Sequence, residues 1–253
     1  MKRILSLILL LACLAMLFSC ELHTVTDDTK PATTTASQTE AATAANTAVT
    51  ETVYVTIVNK SGAVVLARAE VEAADLDEDG KVNLYEALKA AHATCPNSGA
   101  DGFVAVNDPM YGLSMTKLWG EENNGFGYYQ NEVSSWALTD EVHTGDRIVA
   151  FAYTDTTSWS DRFSYFTPQT ETKTEGETVT LTLTALIPDA SWNPVPTLVA
   201  GATIIVNGSE TSFTTDAEGK VTLTLEKGVN VISAKSNDEN LILVPPIAEI
   251  TIQ

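Results

Sequence analysis

A chain of 253 residues with 14 Lys+Arg against 33 Asp+Glu, a formal net charge of -19, is long enough for one large domain or two small ones. It is too acidic for a generic nucleic-acid binder, since no local basic stripe offsets a field that repels polyanions. A hydrophobic content of 44% with 4 Trp, 7 Tyr and 7 Phe supplies a real core and excludes a disordered acidic tail.

At the N-terminus, Lys2 and Arg3 precede an apolar run from Ile4 to Phe18, the length of a secretory signal core and short for a membrane span that stays in place. The run closes on Leu17, Phe18, Ser19 and Cys20, which resembles the lipobox of bacterial lipoproteins, with Phe18 bulkier than the usual residue at its position. The resemblance implies cleavage after residue 19, lipid on Cys20 and a protein anchored to the cell membrane on its extracellular face. An ordinary secretory signal cut near the same place has the same composition. Two acyl chains on one cysteine suffice for stable anchoring. Cys13 would leave with the signal and Cys20 carry lipid, so Cys95 alone remains and no intramolecular disulfide can form in the folded part.

Residues 20–51 read as a tether. Thr and Ala fill 17 of the 27 positions from Thr24 to Thr50, with no aromatic residue, too little bulk to offset the entropy of ordering them.

From residue 52 the pattern becomes that of strands. Val53, Val55 and Ile57 alternate with Tyr54, Thr56 and Val58 up to the turn Asn59 to Gly62, and Ala63 to Val71 reads as the hairpin partner. Residues 75–86 then match an EF-hand calcium loop. Asp75, Asp77 and Asp79 offer carboxylates at positions one, three and five, Gly80 allows the sharp turn, and Lys81 offers its backbone carbonyl. Asn83 binds directly or through water, and Glu86 closes the loop with both oxygens. A solvated turn followed by an Asn83–Glu86 capping box explains the second half of the loop without a metal. It leaves the closely spaced Asp75 and Asp77 without a reason, because their repulsion is relieved only by a cation.

The segment before the loop, Arg68 to Ala74, alternates as a strand and not as an entering helix, so the site is closer to a dockerin-type strand-loop-helix variant. No second loop of the same quality accompanies it, and sensor proteins use pairs; the expected calcium is structural and not signalling. Leu84, Ala87, Leu88 and Ala91 at helical spacing predict a short helix from Asn83 to about Ala93 that packs on the hairpin. Strands follow at Phe103 to Val106, Leu113 to Trp119, Phe126 to Gln130, Arg147 to Tyr153 and Arg162 to Phe166.

Ala87 to His92, Leu113 to Gly120, Phe126 to Asn131 and Val142 to Tyr153 resemble successive motifs of bacterial surface domains similar to the carboxy-terminal domain of transcobalamin. The resemblance spans residues 52–167 and implies a β-grasp-like domain that binds a small ligand or a partner. Family members include corrinoid carriers; Gln130 stands where small or aliphatic residues are common there, and the calcium loop is an addition. The aromatic set Trp119, Phe126, Tyr128, Tyr129, Trp136 and Trp159 is a candidate platform for a ligand, or simply the finish of a small core.

After a polar linker from Thr167 to Gly176, residues 177–253 hold short strands at Thr178 to Leu186, Val199 to Val206, Ser212 to Thr215, Val221 to Leu225, Val229 to Ala234 and Ile247 to Ile252. Ala200 to Ala202 and Thr215 to Lys220 resemble prealbumin-like spacer modules of bacterial surfaces, implying a β-sandwich. The fold class is thus mainly β: a β-grasp-like α+β domain with one short helix, plus a C-terminal all-β sandwich. No catalytic motif is present, and His92 and His143 read as helix-end or surface residues. The sequence therefore points to a calcium-binding surface lipoprotein that binds or displays and does not catalyse. Carriage of a small ligand such as a corrinoid, or a purely structural stalk, are the alternatives.

Overall fold

The computed structural model describes residues 49–95, 100–123 and 125–253. The lipobox with Cys20 and the tether up to residue 48 lie outside them. Strands β1 (Thr50–Val58) and β2 (Val64–Ala74) form the expected hairpin, followed by helix α1 (Leu84–Ala93). Next come β3 (Val104–Asp108), β4 (Gly112–Leu118), β5 (Glu121–Glu122), β6 (Phe126–Gln130), β7 (Val133–Ser135) and β8 (Arg147–Ala152). Strands β2-β1-β8-β6-β7 form one sheet, in which β1 pairs parallel with β8 and antiparallel with β2; β3-β4-β5 form a small second sheet. A hairpin, a covering helix and a parallel central pair make the β-grasp-like arrangement.

Periodicity explains the packing. Val53, Val55 and Ile57 are fully buried on one face of β1, under α1 residues Leu84, Ala87, Leu88 and Ala91, which lie on one helical face. Asn83 caps the helix: its side chain accepts from the Glu86 N–H at 3.1 Å while Glu86 accepts from the Asn83 N–H at 3.0 Å.

The second half adds β9 (Asp161–Thr167), β10 (Thr170–Lys173), β11 (Thr178–Pro188), β12 (Pro194–Leu198), β13 (Thr203–Val206), β14 (Ser209–Thr214), β15 (Lys220–Thr224), β16 (Gly228–Lys235), β17 (Ile242–Val244) and β18 (Ala248–Ile252). Sheet β10-β18-β16-β13-β14 and sheet β12-β11-β9-β17, with β15 on β11, enclose a core built from Leu181, Leu183, Ile204, Ile232 and Ile250. This is the all-β sandwich, and its long strand β11 alternates outward Thr178 and Thr180 with buried Val179 and Leu181.

Three assignments made from the sequence change. Strand β9 falls within the 52–167 segment, yet it hydrogen-bonds to β11 and lies in the sandwich. Its chain neighbour β10 occupies the stretch read as a linker and pairs with β18. Polar Thr and Glu hide an edge strand of this kind, because only its backbone is engaged. Val199 to Ala202 is not strand: the buried Thr215 hydroxyl donates to the Val199 carbonyl at 2.6 Å and accepts from the Ala202 N–H at 3.0 Å, fixing a turn there.

Gly219 sits where β12 and β15 meet the same strand, at φ +68, and a Cβ on it would lie 2.8 Å from the Leu183 carbonyl oxygen. Backbone cannot retreat as a side chain can, so Gly219→Ala adds strain to a left-handed conformation. We expect it to destabilise by about 1–3 kcal/mol in denaturant unfolding, with the slope of the transition unchanged.

Candidate metal centre

Strand β2 ends at Ala74 and the chain turns through residues 75–83 before entering α1. Two carboxylates fold this turn. Asp75 Oδ1 accepts from the Glu78 N–H and Oδ2 from the Gly80 N–H, both at 2.8 Å. Such local bonds let Asp direct a turn, and Glu78 (φ 62) and Gly80 (φ 89) supply its left-handed residues. From the helix side, the buried Glu86 reaches back: Oε1 accepts from the Leu76 N–H at 2.6 Å and Oε2 from the Asn83 N–H. One carboxylate thus ties the start of the turn to the helix N-terminus.

The result is a cluster. One oxygen each from Asp75, Asp77 and Glu86 lie within 4.8 Å of one another. Calcium takes oxygen ligands at about 2.3–2.6 Å, so two ligands on opposite sides of one ion stand roughly 5 Å apart, and the cluster has the span of such a shell. Each engaged carboxylate oxygen still keeps a lone pair.

The other three residues expected from the sequence lie differently. Asp79 stands outside the cluster and its Oδ1 accepts from the Lys81 N–H at 2.9 Å. Asn83 uses its side-chain oxygen as the helix cap. Lys81 extends to Glu141, Nζ to Oε2 at 2.8 Å, and this bond holds the ammonium above and the carboxyl below their usual pKa ranges. The segment carrying Glu141 braces the loop from outside: the Val142 N–H donates to the Val82 carbonyl and the Leu84 N–H to the Asp140 carbonyl.

The 126–131 and 142–153 stretches also meet in space. Asn131 Nδ2 donates to Asp146 Oδ1 and Gln130 Nε2 to Asp146 Oδ2, both at 2.6 Å, while the His143 N–H donates to Oδ2 at 2.7 Å. Burial pushes the Asp146 carboxyl up, but these bonds outweigh it and leave the pKa below the ordinary value. Gln130 is engaged in the fold, holding the 141–146 turn.

The aromatic residues do not form one platform. Trp119, Phe126 and Tyr128 pack against the first core. Tyr129 points to the other face, where its ring lies 4.0 Å from Phe163 and nearly parallel to it. Trp159 stands edge-on to Tyr153, and Trp136 is 89% exposed. Strand alternation separated Tyr128 from Tyr129, as the sequence required.

His92 lies in the last turn of α1, the helix-end position expected from the sequence, but it is not on the surface. It is fully buried between Phe103 and Trp119; Nδ1 lies 2.6 Å from the Leu88 carbonyl, and Nε2 accepts from the Trp119 N–H at 3.0 Å. Nε2 as acceptor makes Nδ1 the protonated nitrogen, so the ring is neutral. Nothing in the sequence marked this role, because Trp119 is 27 residues away.

Comparison with protein-family models and with curated proteins gives no match. Among solved structures the chain is similar to the fibronectin(III)-like modules of CbhA from Clostridium thermocellum, at 11% identity and a TM-score of 0.28, over 51% of this chain and 77% of that one. It is also similar to the N-terminal four Ig domains of Dscam1 isoform 6.9, at 12% identity and a TM-score of 0.24, over 51% of this chain and 37% of that one. A third is SGBP-B of the Bacteroides ovatus mixed-linkage glucan utilization locus, in complex with a mixed-linkage heptasaccharide: 15% identity, TM-score 0.20, 60% of this chain and 35% of that one. At these values the function must be argued from the chain's own residues.

Burial drives the His92 pKa below 6.5, only partly offset by the Leu88 carbonyl. A base depressed in the folded state leaves its stability intact above the unfolded pKa, and that stability is lost as pH falls below about 6.5 toward the folded value. Melting temperature should fall over this window more steeply for the wild type than for His92→Gln, which does not titrate. Parallel pH profiles would refute the role.

Proposed function

We propose that the protein is a calcium-stabilised binding or display module on the outer face of a cell membrane, held there by lipid on Cys20, and that it acts by binding and not by catalysis. The observation that carries the calcium reading is the convergence of Asp75, Asp77 and Glu86. Three carboxylates this close repel one another, and the repulsion becomes attraction once a divalent cation stands between them. An all-oxygen donor set on a turn suits a hard cation of flexible coordination.

When bound, calcium supplies positive charge and a fixed coordination shell, nothing more. The chain's residues do the rest: Asp75 shapes the turn, Glu86 transmits its position to α1, and α1 covers the inner face of β1. A single loop with no paired partner in the sequence has no second helix pair to open, so the ion's role is to hold the loop shut. His92, the buried histidine, spends both ring nitrogens on hydrogen bonds within the core, which favours a structural role for it over general-base chemistry.

Calcium at ~10 mM should stabilise the wild type by about 1.4 to 2.7 kcal/mol, for a dissociation constant on the order of 0.1 to 1 mM typical of extracellular sites. Asp77 is exposed and accepts only a long bond from the Asp79 N–H, so Asp77→Asn removes a ligand charge without unmaking the turn. This variant should melt no lower than wild type in chelator and lose most of the calcium-dependent rise. Identical wild-type melts with and without calcium would sink the metal centre. Mass spectrometry of the mature protein tests the anchor separately: an unmodified N-terminus rules it out.

A further inference from the structure

The cleft between the two β modules holds a cation with no acid to match it. At β2, Val55 pairs with Ala69 and Ile57 with Leu66, so Ala67 and Arg68 both stand opposite Thr56 in a bulge. Bulges re-aim side chains. Arg68 adopts φ 43, donates its N–H to Thr56 Oγ1 at 3.1 Å, and lays its guanidinium 4.0 Å over the Tyr54 ring.

That guanidinium donates to no protein acceptor among the described residues: its Nε is shut away from solvent without a partner, and it joins none of the ion pairs. The one acid lining the same cleft is already engaged. Glu132 accepts from Arg147 Nε at 3.1 Å and Nη2 at 2.9 Å, and from Gln169 Nε2 at 2.5 Å. Arg68, Arg147 and Glu132 together leave the cleft one positive charge, in a chain whose formal charge is -19. The cavity is about 30 Å³, room for one or two waters or for a carboxylate headgroup, and too small for a whole sugar or side chain.

We propose that this cleft binds the carboxylate of a small anionic ligand through the Nη edge of Arg68, with the body of the ligand outside. A planar fork takes a carboxylate with two parallel bonds, and the Tyr54 face holds the fork flat so that little freedom is lost on binding. The cleft shares no residue with the 75–86 turn, so it stands or falls apart from the calcium site.

The test follows the backbone N–H resonances of Thr56, Ile148 and Val149, which line the cleft in wild type and variants alike, by NMR while the protein is titrated with glucuronate or with N-acetylglycine, using glucose and sodium chloride at matched ionic strength as controls. The two carboxylates separate an acidic sugar from a peptide terminus as the source, and the tighter one names it. A saturable shift with either carboxylate, absent with glucose and chloride, is the expected result. It should be lost in Arg68→Gln and weakened roughly tenfold or more in Arg68→Lys, which keeps the charge and loses the fork. If Arg68→Gln does not fold, Arg68→Lys carries the comparison. No saturable shift, an equal response to chloride, or undiminished binding in Arg68→Lys overturns the proposal.

Discussion

Strand β1 is buried on both faces, and most of the architecture follows from that. Val53, Val55 and Ile57 are sealed on one side and Thr56 and Val58 on the other. A central strand paired parallel to β8 cannot leave either face to water without exposing apolar surface, so each face needs its own cover. Helix α1 supplies one. The sandwich end of the chain supplies the other, where Val58, Phe151 and Val244 form a small cluster joined by Tyr129 and Tyr153. The modules are therefore packed through an apolar seam, and the stacked Tyr129 and Phe163 rings belong to it.

The seam explains why a run of aromatic residues yields no single ligand surface. A β-strand distributes neighbours to opposite faces, and here both faces of the sheet are in use. Tyr128 goes to the helix side and Tyr129 to the sandwich side. Trp136 is left exposed in the segment after β7. What lies at the seam's polar margin instead is Arg68, held over Tyr54 by a bulge.

Glu86 links local chemistry to the core. Buried at a helix N-terminus, it accepts from two backbone N–H groups, one at the start of the turn and one at the helix cap. Capping box and calcium ligand are often treated as competing explanations of a Glu at this position; the geometry makes them compatible, because the cap fixes the oxygens at the rim of the turn where Asp75 and Asp77 also point. Asp79, matched by the sequence pattern, lies outside the cluster of three and accepts from the Lys81 N–H.

Alternation and turn chemistry in the sequence determined the β1–β2 hairpin, the helix with its Asn83 cap, the β11 strand and the acidic turn, because each depends on neighbours a few residues apart. Sequence spacing also put Asp75, Asp77 and Glu86 within one twelve-residue stretch, the last of them in the first turn of α1. Tertiary structure alone decided that the polar segment 170–173 is a strand, since its partner β18 lies at the far end of the chain. It alone decided that His92 is a neutral core residue bonded to Trp119, that Asn131 answers Asp146, and that Arg68 meets a cleft whose acid is already taken. Long-range pairing leaves no period in the sequence: a hydrogen bond between distant residues constrains only two positions, and their chemistry looks ordinary until the fold brings them together.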